Sequence, residues 1–74
     1  MSDEQLDVWT SIRAASRVYA VNGRMKESRL SMAGKMKKLL ALGASKTDCA
    51  DAAMTTLATV ARWIREYDNR PSEV

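Results

Sequence analysis

Cys49 is the only thiol of this 74-residue chain, and no histidine accompanies it. A reactive thiolate needs a cation or a base beside it. Cys49 instead lies in an apolar helical context and reads as a small buried core residue. The absence of histidine also removes any Cys/His metal cluster, any Ser-His or Cys-His dyad and any imidazole acid–base group. Asp48 and Asp51 have no second ligand cluster to join and read as solvated residues of a helix face. No metal, no cofactor and no enzymatic activity are therefore expected. The chemistry left to the chain is electrostatic.

The formal net charge is only +3, but its distribution is uneven. Residues 1–12 hold Asp3, Glu4 and Asp7 and no cation. Residues 13–46 hold nine cations (Arg13, Arg17, Arg24, Lys26, Arg29, Lys35, Lys37, Lys38, Lys46) against one anion, Glu27. Residues 47–74 hold three cations against five anions. Such a block makes a local positive surface whatever the total. Taken by itself, it is explained equally well by a solvated, lysine-decorated helix face.

Helices must position these charges. Phe is absent, the single proline is Pro71, and no run alternates with period two, so an all-α, four-helix domain is expected over residues 1–70. Residues 71–74 read as a polar tail or the start of a linker. Helix one should cover about residues 3–21, opened by a Ser2/Gln5 capping box with Asp3 and Glu4 at the positive end of its dipole. Leu6, Trp9, Ile12, Ala15/Ser16 and Tyr19 form its stripe, widened by Val8 and Val18, and Asn22-Gly23 ends it. This helix either lies across the others as part of the core or pairs two subunits, and the first is preferred.

Helix two should run from Ser28 or Ser31 to Leu42. Met32, Met36, Leu39 and Leu40 face inward, Lys35, Lys37 and Lys38 face solvent or phosphate, and Gly34 admits helix one closely. Gly43 stops it. Ser45, with Asp48 completing the box, caps a short helix over about residues 46–53 whose inner side is Cys49, Ala50 and Ala53. Thr56 caps the last helix, about residues 57–68, whose buried side is Leu57, Val60, Trp63/Ile64 and Tyr67. The acidic N-terminal MSDEQLD lacks the layout of a signal peptide. No apolar run approaches the roughly 20 residues that span a bilayer, so a cytoplasmic chain without membrane contact is expected.

The segment from Leu39 to Tyr67 resembles the helix-turn-helix of resolvase/invertase-type DNA-binding domains and related transcriptional regulators. Their pattern is Gly-x-Ser, an aliphatic-Ala pair four residues on, a Leu-Gly-Val-Ser turn, then Thr-Val-x-Arg-Trp/Tyr. Gly43 and Ser45 match the first element, and Cys49-Ala50 fills the second. Ala53-Met54-Thr55-Thr56 fills the turn, and Thr59-Val60-Ala61-Arg62-Trp63 matches the last. The likeness covers roughly residues 30–67 with spacing kept throughout. It departs at Met54, where Gly is commonest. A non-glycine residue at positive φ is strained, so a reshaped or longer turn is expected. In size and layout the chain also looks like the DNA-binding region of plasmid stability and autoregulatory proteins of the StbA type.

The resemblance implies a transcriptional regulator, repressor or plasmid segregation factor, nucleoid- or plasmid-associated, with double-stranded DNA as partner. It makes the helix from Thr56 the recognition helix, lying in the major groove and presenting Ala58, Thr59, Ala61, Arg62 and Arg65. Arg62 matches the base-reading arginine, whose fork donates two hydrogen bonds to guanine O6 and N7. Ala58 or Ala61 would meet a thymine methyl. Lys46, Thr47, Thr55 and Thr56 at helix N-termini suit phosphate, as does the lysine block that includes Lys38. The segment Gly23–Arg29 stands where a basic minor-groove arm precedes the family's domain, with Arg24 as its contact. Structural roles compete with these: an Arg62–Glu66 pair at i, i+4, Trp63 in the core, and the threonines as caps. The alternative partner is another protein, docked on the first helix of an adaptor or antitoxin-like module. Self-association on DNA or through that helix is compatible with either.

Overall fold

The computed structural model describes residues 1–70 and forms α1 (Asp3–Val21), α2 (Lys26–Ala41), α3 (Lys46–Ala53) and α4 (Leu57–Asp68). The described residues contain no strand. The tail expected at 71–74 lies outside them. Both α1 and α4 pack on α2 and α3, and Tyr19 of α1 meets Trp63 of α4 edge-on, ring centroids 5.4 Å apart.

Local chemistry sets the helix ends. Ser2 and Gln5 close a full capping box on α1, as Ser45 and Asp48 do on α3, and Thr56 Oγ1 accepts the Thr59 amide at the start of α4. The C-terminus of α2 is a Schellman turn: Gly43 N–H donates to Leu40 O and Ala44 N–H to Leu39 O, with Gly43 at φ +96°. The end of α3 repeats it, Met54 N–H donating to Asp51 O and Thr55 N–H to Ala50 O. Here the left-handed residue is Met54, at φ 54° and ψ 48°. The expected reshaping therefore does not occur. The turn keeps its length, and the non-glycine residue carries the strain.

Two further expectations are corrected. α2 begins at Lys26, before Ser28 or Ser31, because Gly23 and Arg24 take successive positive φ values of +74° and +59° and reverse the chain at once. Gly34 admits α4, not α1: a Cβ there would stand 3.1 Å from Cε2 of Tyr67.

The core is built from Val8 and Ile12 of α1, Met32, Ala33, Met36 and Leu39 of α2, Cys49, Ala50, Ala52 and Ala53 of α3, and Val60 and Trp63 of α4. Trp9, Ala15, Tyr19, Leu40, Ile64 and Tyr67 pack half-buried around it. Leu57, expected on the buried side, is exposed, as are Leu6 and Val18 of the α1 stripe. Leu57 lies in the first turn of α4 (Leu57–Asp68), ahead of the point at which the helix meets the core.

α1 is bound in by polar contacts as well as apolar ones. Gln5 Nε2 donates to Leu42 O (2.6 Å), Arg13 Nε to Ala52 O (2.9 Å), Arg13 Nη2 to Asp51 O (2.8 Å) and Ser16 Oγ to Ala53 O (2.9 Å). These acceptors are the carbonyls at the ends of α2 and α3, which have no partner within their own helices.

Two outcomes follow from this packing. Ile12 is fully buried, and a carboxylate in its place has no partner, a cost of several kcal/mol against the small net stability of such a domain. Ile12→Asp is expected to unfold the chain, read by circular dichroism; a folded variant that only changes its sedimentation would place α1 in a subunit interface instead. Met54→Gly should stabilise the protein by about 0.5–1 kcal/mol, since the left-handed penalty on Met is relieved and its side chain is exposed. Thermal unfolding of the variant checks the sign.

Candidate functional site

α4 turns Val60 and Trp63 into the core, with Thr59, Ile64 and Tyr67 half-buried. Its other side presents Ala58, Arg62, Arg65 and Asn69, all exposed, with Ala61 half-buried beside them. Residues spaced by three or four positions stack along one side of a helix, so these five make a single ridge. Neither arginine pairs with a described residue.

The carboxylates nearest this ridge in sequence have other partners. Glu66 accepts two hydrogen bonds on Oε1 from Arg29 of α2, from Nη2 at 2.6 Å and Nε at 3.1 Å. That bond raises the Arg29 pKa above its ordinary value. The Arg62–Glu66 pair that the spacing allows is thereby displaced. Lys37 faces solvent as expected, and its ammonium is ion-paired with Asp68.

The helix N-termini differ. α4 has no acidic residue in its first turn, while α3 has Asp48, whose carboxylate accepts the Ser45 N–H at 3.0 Å. Thr56 Oγ1 caps α4 and also donates to Thr59 Oγ1 at 3.0 Å. The amides of Leu57 and Ala58, at the first two positions, have no acceptor within the helix. Of the two N-termini, that of α4 is the better seat for an anion.

Two clefts flank the ridge. One, of about 380 Å³, is lined by Tyr19, Arg24, Met54, Thr55, Thr59 and Arg62 among others. The other, of about 370 Å³, is lined by Lys46, Ala61, Ile64, Arg65, Asp68 and Asn69. The expected site residues thus fall into an α1-side group (Arg24, Thr55, Thr59, Arg62) and an α3-side group (Lys46, Ala61, Arg65), with Ala58 on the ridge and Thr56 as its cap. Thr47 is exposed in the first turn of α3, and Lys38 is exposed on α2 and joins neither cleft.

The basic arm expected over Gly23–Arg29 is not an arm. Gly23 and Arg24 form a tight turn, Lys26–Arg29 open α2, and Arg29 is committed to Glu66. Two site residues were missed. Asn69 continues the ridge at i+7 from Arg62, a signal present in the sequence but one residue past the expected end of the last helix. The α1 stripe places Tyr19 against the core, and nothing in its spacing shows that it also lines a cleft.

The described residues hold no group of three or more His, Cys, Asp and Glu side chains placed to hold a metal. No described helix is long and apolar enough to cross a membrane. No family model, curated protein or solved structure matches the chain.

Cys49 lies fully buried, its Sγ 3.7 Å from Met36 O. Burial, with a smaller push from the Asp48 carboxylate, raises the thiol from 9.0 to about 11. The neutral thiol is favoured in the fold, so its contribution is complete below pH 9.0 and is lost as pH rises to about 11. Wild type should lose about 2–3 kcal/mol more than Cys49→Ala across that window, measured by chemical denaturation at each pH. Parallel curves would contradict the buried thiol's role.

Proposed function

We propose that the chain binds double-stranded DNA sequence-specifically, with α4 in the major groove, as a transcriptional regulator or plasmid stability factor that performs no reaction. The observation that carries this reading is the freed ridge. Arg29 and Lys37 of α2 take up Glu66 and Asp68, so Arg62 and Arg65 stand unpaired with described residues beside Ala58 and Ala61, on a helix with no acid in its first turn. A guanidinium held this way presents its donors to the paired acceptors of guanine, and the alanines leave room for a thymine methyl. The competing reading, α1 as a docking face for a protein, has less support, since Val8, Ile12 and Ser16 are buried within the domain.

A module of this kind buries only about 600–1,000 Å² against DNA, so useful affinity calls for several copies on repeated or inverted sites. Selecting bound duplexes from a random pool gives the site and its spacing. On the selected duplex, Arg62→Ala should cost about 1–3 kcal/mol, and far less on scrambled DNA. Equal loss on both would make Arg62 a phosphate contact. No binding of any duplex at low salt would leave the protein-docking reading in its place.

A further inference from the structure

Arg24 is held at a conformational cost, in the left-handed region at φ +59° immediately after Gly23 at φ +74°. Glycine adopts that conformation freely and Asn at little cost, whereas a long side chain does not. Strain of this kind clusters at functional sites, although the turn that ends α1, closed by Arg24 N–H to Tyr19 O at 2.9 Å, also calls for a left-handed residue. Arg24 is exposed and pairs with no described residue. Its side chain lines the α1-side cleft with Thr55, Thr59 and Arg62. Two cations, Arg24 and Arg62, thus share with the hydroxyl-bearing Ser16, Tyr19, Thr55 and Thr59 a cleft that no carboxylate lines. The α3-side cleft, by contrast, includes Asp68.

We infer that this cleft seats one phosphate of the DNA backbone, gripped by Arg24 from the α1–α2 turn while Arg62 of α4 reads the adjacent base. The inference rests on the DNA-binding reading and adds to it a fixed register: a phosphate held by Arg24 sets how far α4 slides along the groove. A backbone phosphate suits the cleft better than a free anion. Both arginines are exposed, so a small ion would compete with water at each of them, whereas a strand already bound through α4 presents its phosphate at the cleft.

The test uses Arg24→Gly and Arg24→Asn, both of which accept the left-handed backbone. Binding to selected and scrambled duplexes is measured over a salt series, together with thermal unfolding of the free protein. Both variants should melt about 2–5 °C higher yet bind both duplexes roughly ten-fold more weakly. Their log–log salt slope should be smaller by about 0.9. A lower melting temperature would make Arg24 a structural residue and overturn the inference. Unchanged affinity and slope, with Arg62→Ala still weakening the selected site, would overturn it while leaving the DNA-binding reading intact. Absence of DNA binding by the wild type would overturn both. If inorganic phosphate at fixed ionic strength raised the melting temperature of wild type but not of Arg24→Asn, the cleft would be a free-anion seat, and the backbone assignment would fall.

Discussion

Arg13 and Ser16 hold the last carbonyls of α3, and the position of α4 follows from that grip. α3 has eight residues, too few to be stable alone in water, and its final four carbonyls have no helical partner. All four are met. Ala50 O and Asp51 O take the amides of Thr55 and Met54, Arg13 takes Asp51 O and Ala52 O, and Ser16 takes Ala53 O. The guanidinium also puts positive charge at the negative end of the helix dipole. Arg13 is itself braced, lying 4.7 Å from the centre of the Trp9 ring. With the end of α3 fixed, the short turn through Met54, Thr55 and Thr56 leaves α4 little choice of direction.

The basic block has a similar double character. Arg13 serves α3, while Arg29 and Lys37 reach across to α4 and occupy its acids. The side chains in these two ion pairs are 23–47% exposed, and pairs so open to water add little to stability, about 1 kcal/mol or less. Their larger effect is on the surface. They leave Glu66 and Asp68 paired with α2, so that neither carboxylate pairs with Arg62 or Arg65. Part of the positive stretch of sequence is thus the counter-charge of another helix.

Most of the fold was legible because it is written locally. Ser2, Ser45 and Thr56 mark helix starts by their hydroxyls, Gly23 and Gly43 mark stops, and α1, α3 and α4 fall where those signals put them. The start of α2 was not legible, since Met25 caps it without a side-chain bond and the nearest serines misled. Contacts between distant segments were also hidden. Nothing in the spacing of Arg13, Arg29 or Lys37 shows that each answers a group 31–39 residues away. The resemblance names Ala58, Ala61, Arg62 and Arg65 of the ridge, together with Thr59, which is half-buried to one side of it. The cleft that joins Arg24 to the ridge was not legible, because it depends on a two-residue reversal at Gly23-Arg24.

α4 is pinned along its length, and this bears on how it would meet DNA on the proposed reading. Near its middle, Trp63 packs into the core against the edge of Tyr19. Near its end, Tyr67 lies over Gly34, where even a methyl group would be crowded, and the Arg70 guanidinium stacks 3.7 Å from the centre of the same ring. A helix seated this way presents its ridge in one orientation, so little freedom is lost when it docks. Discrimination would then come from the fixed reach of Arg62 and Arg65 and not from adjustment of the helix. The positive-φ residues Arg24 and Met54 both border the same cleft, so the strain in this chain gathers beside the surface assigned to DNA.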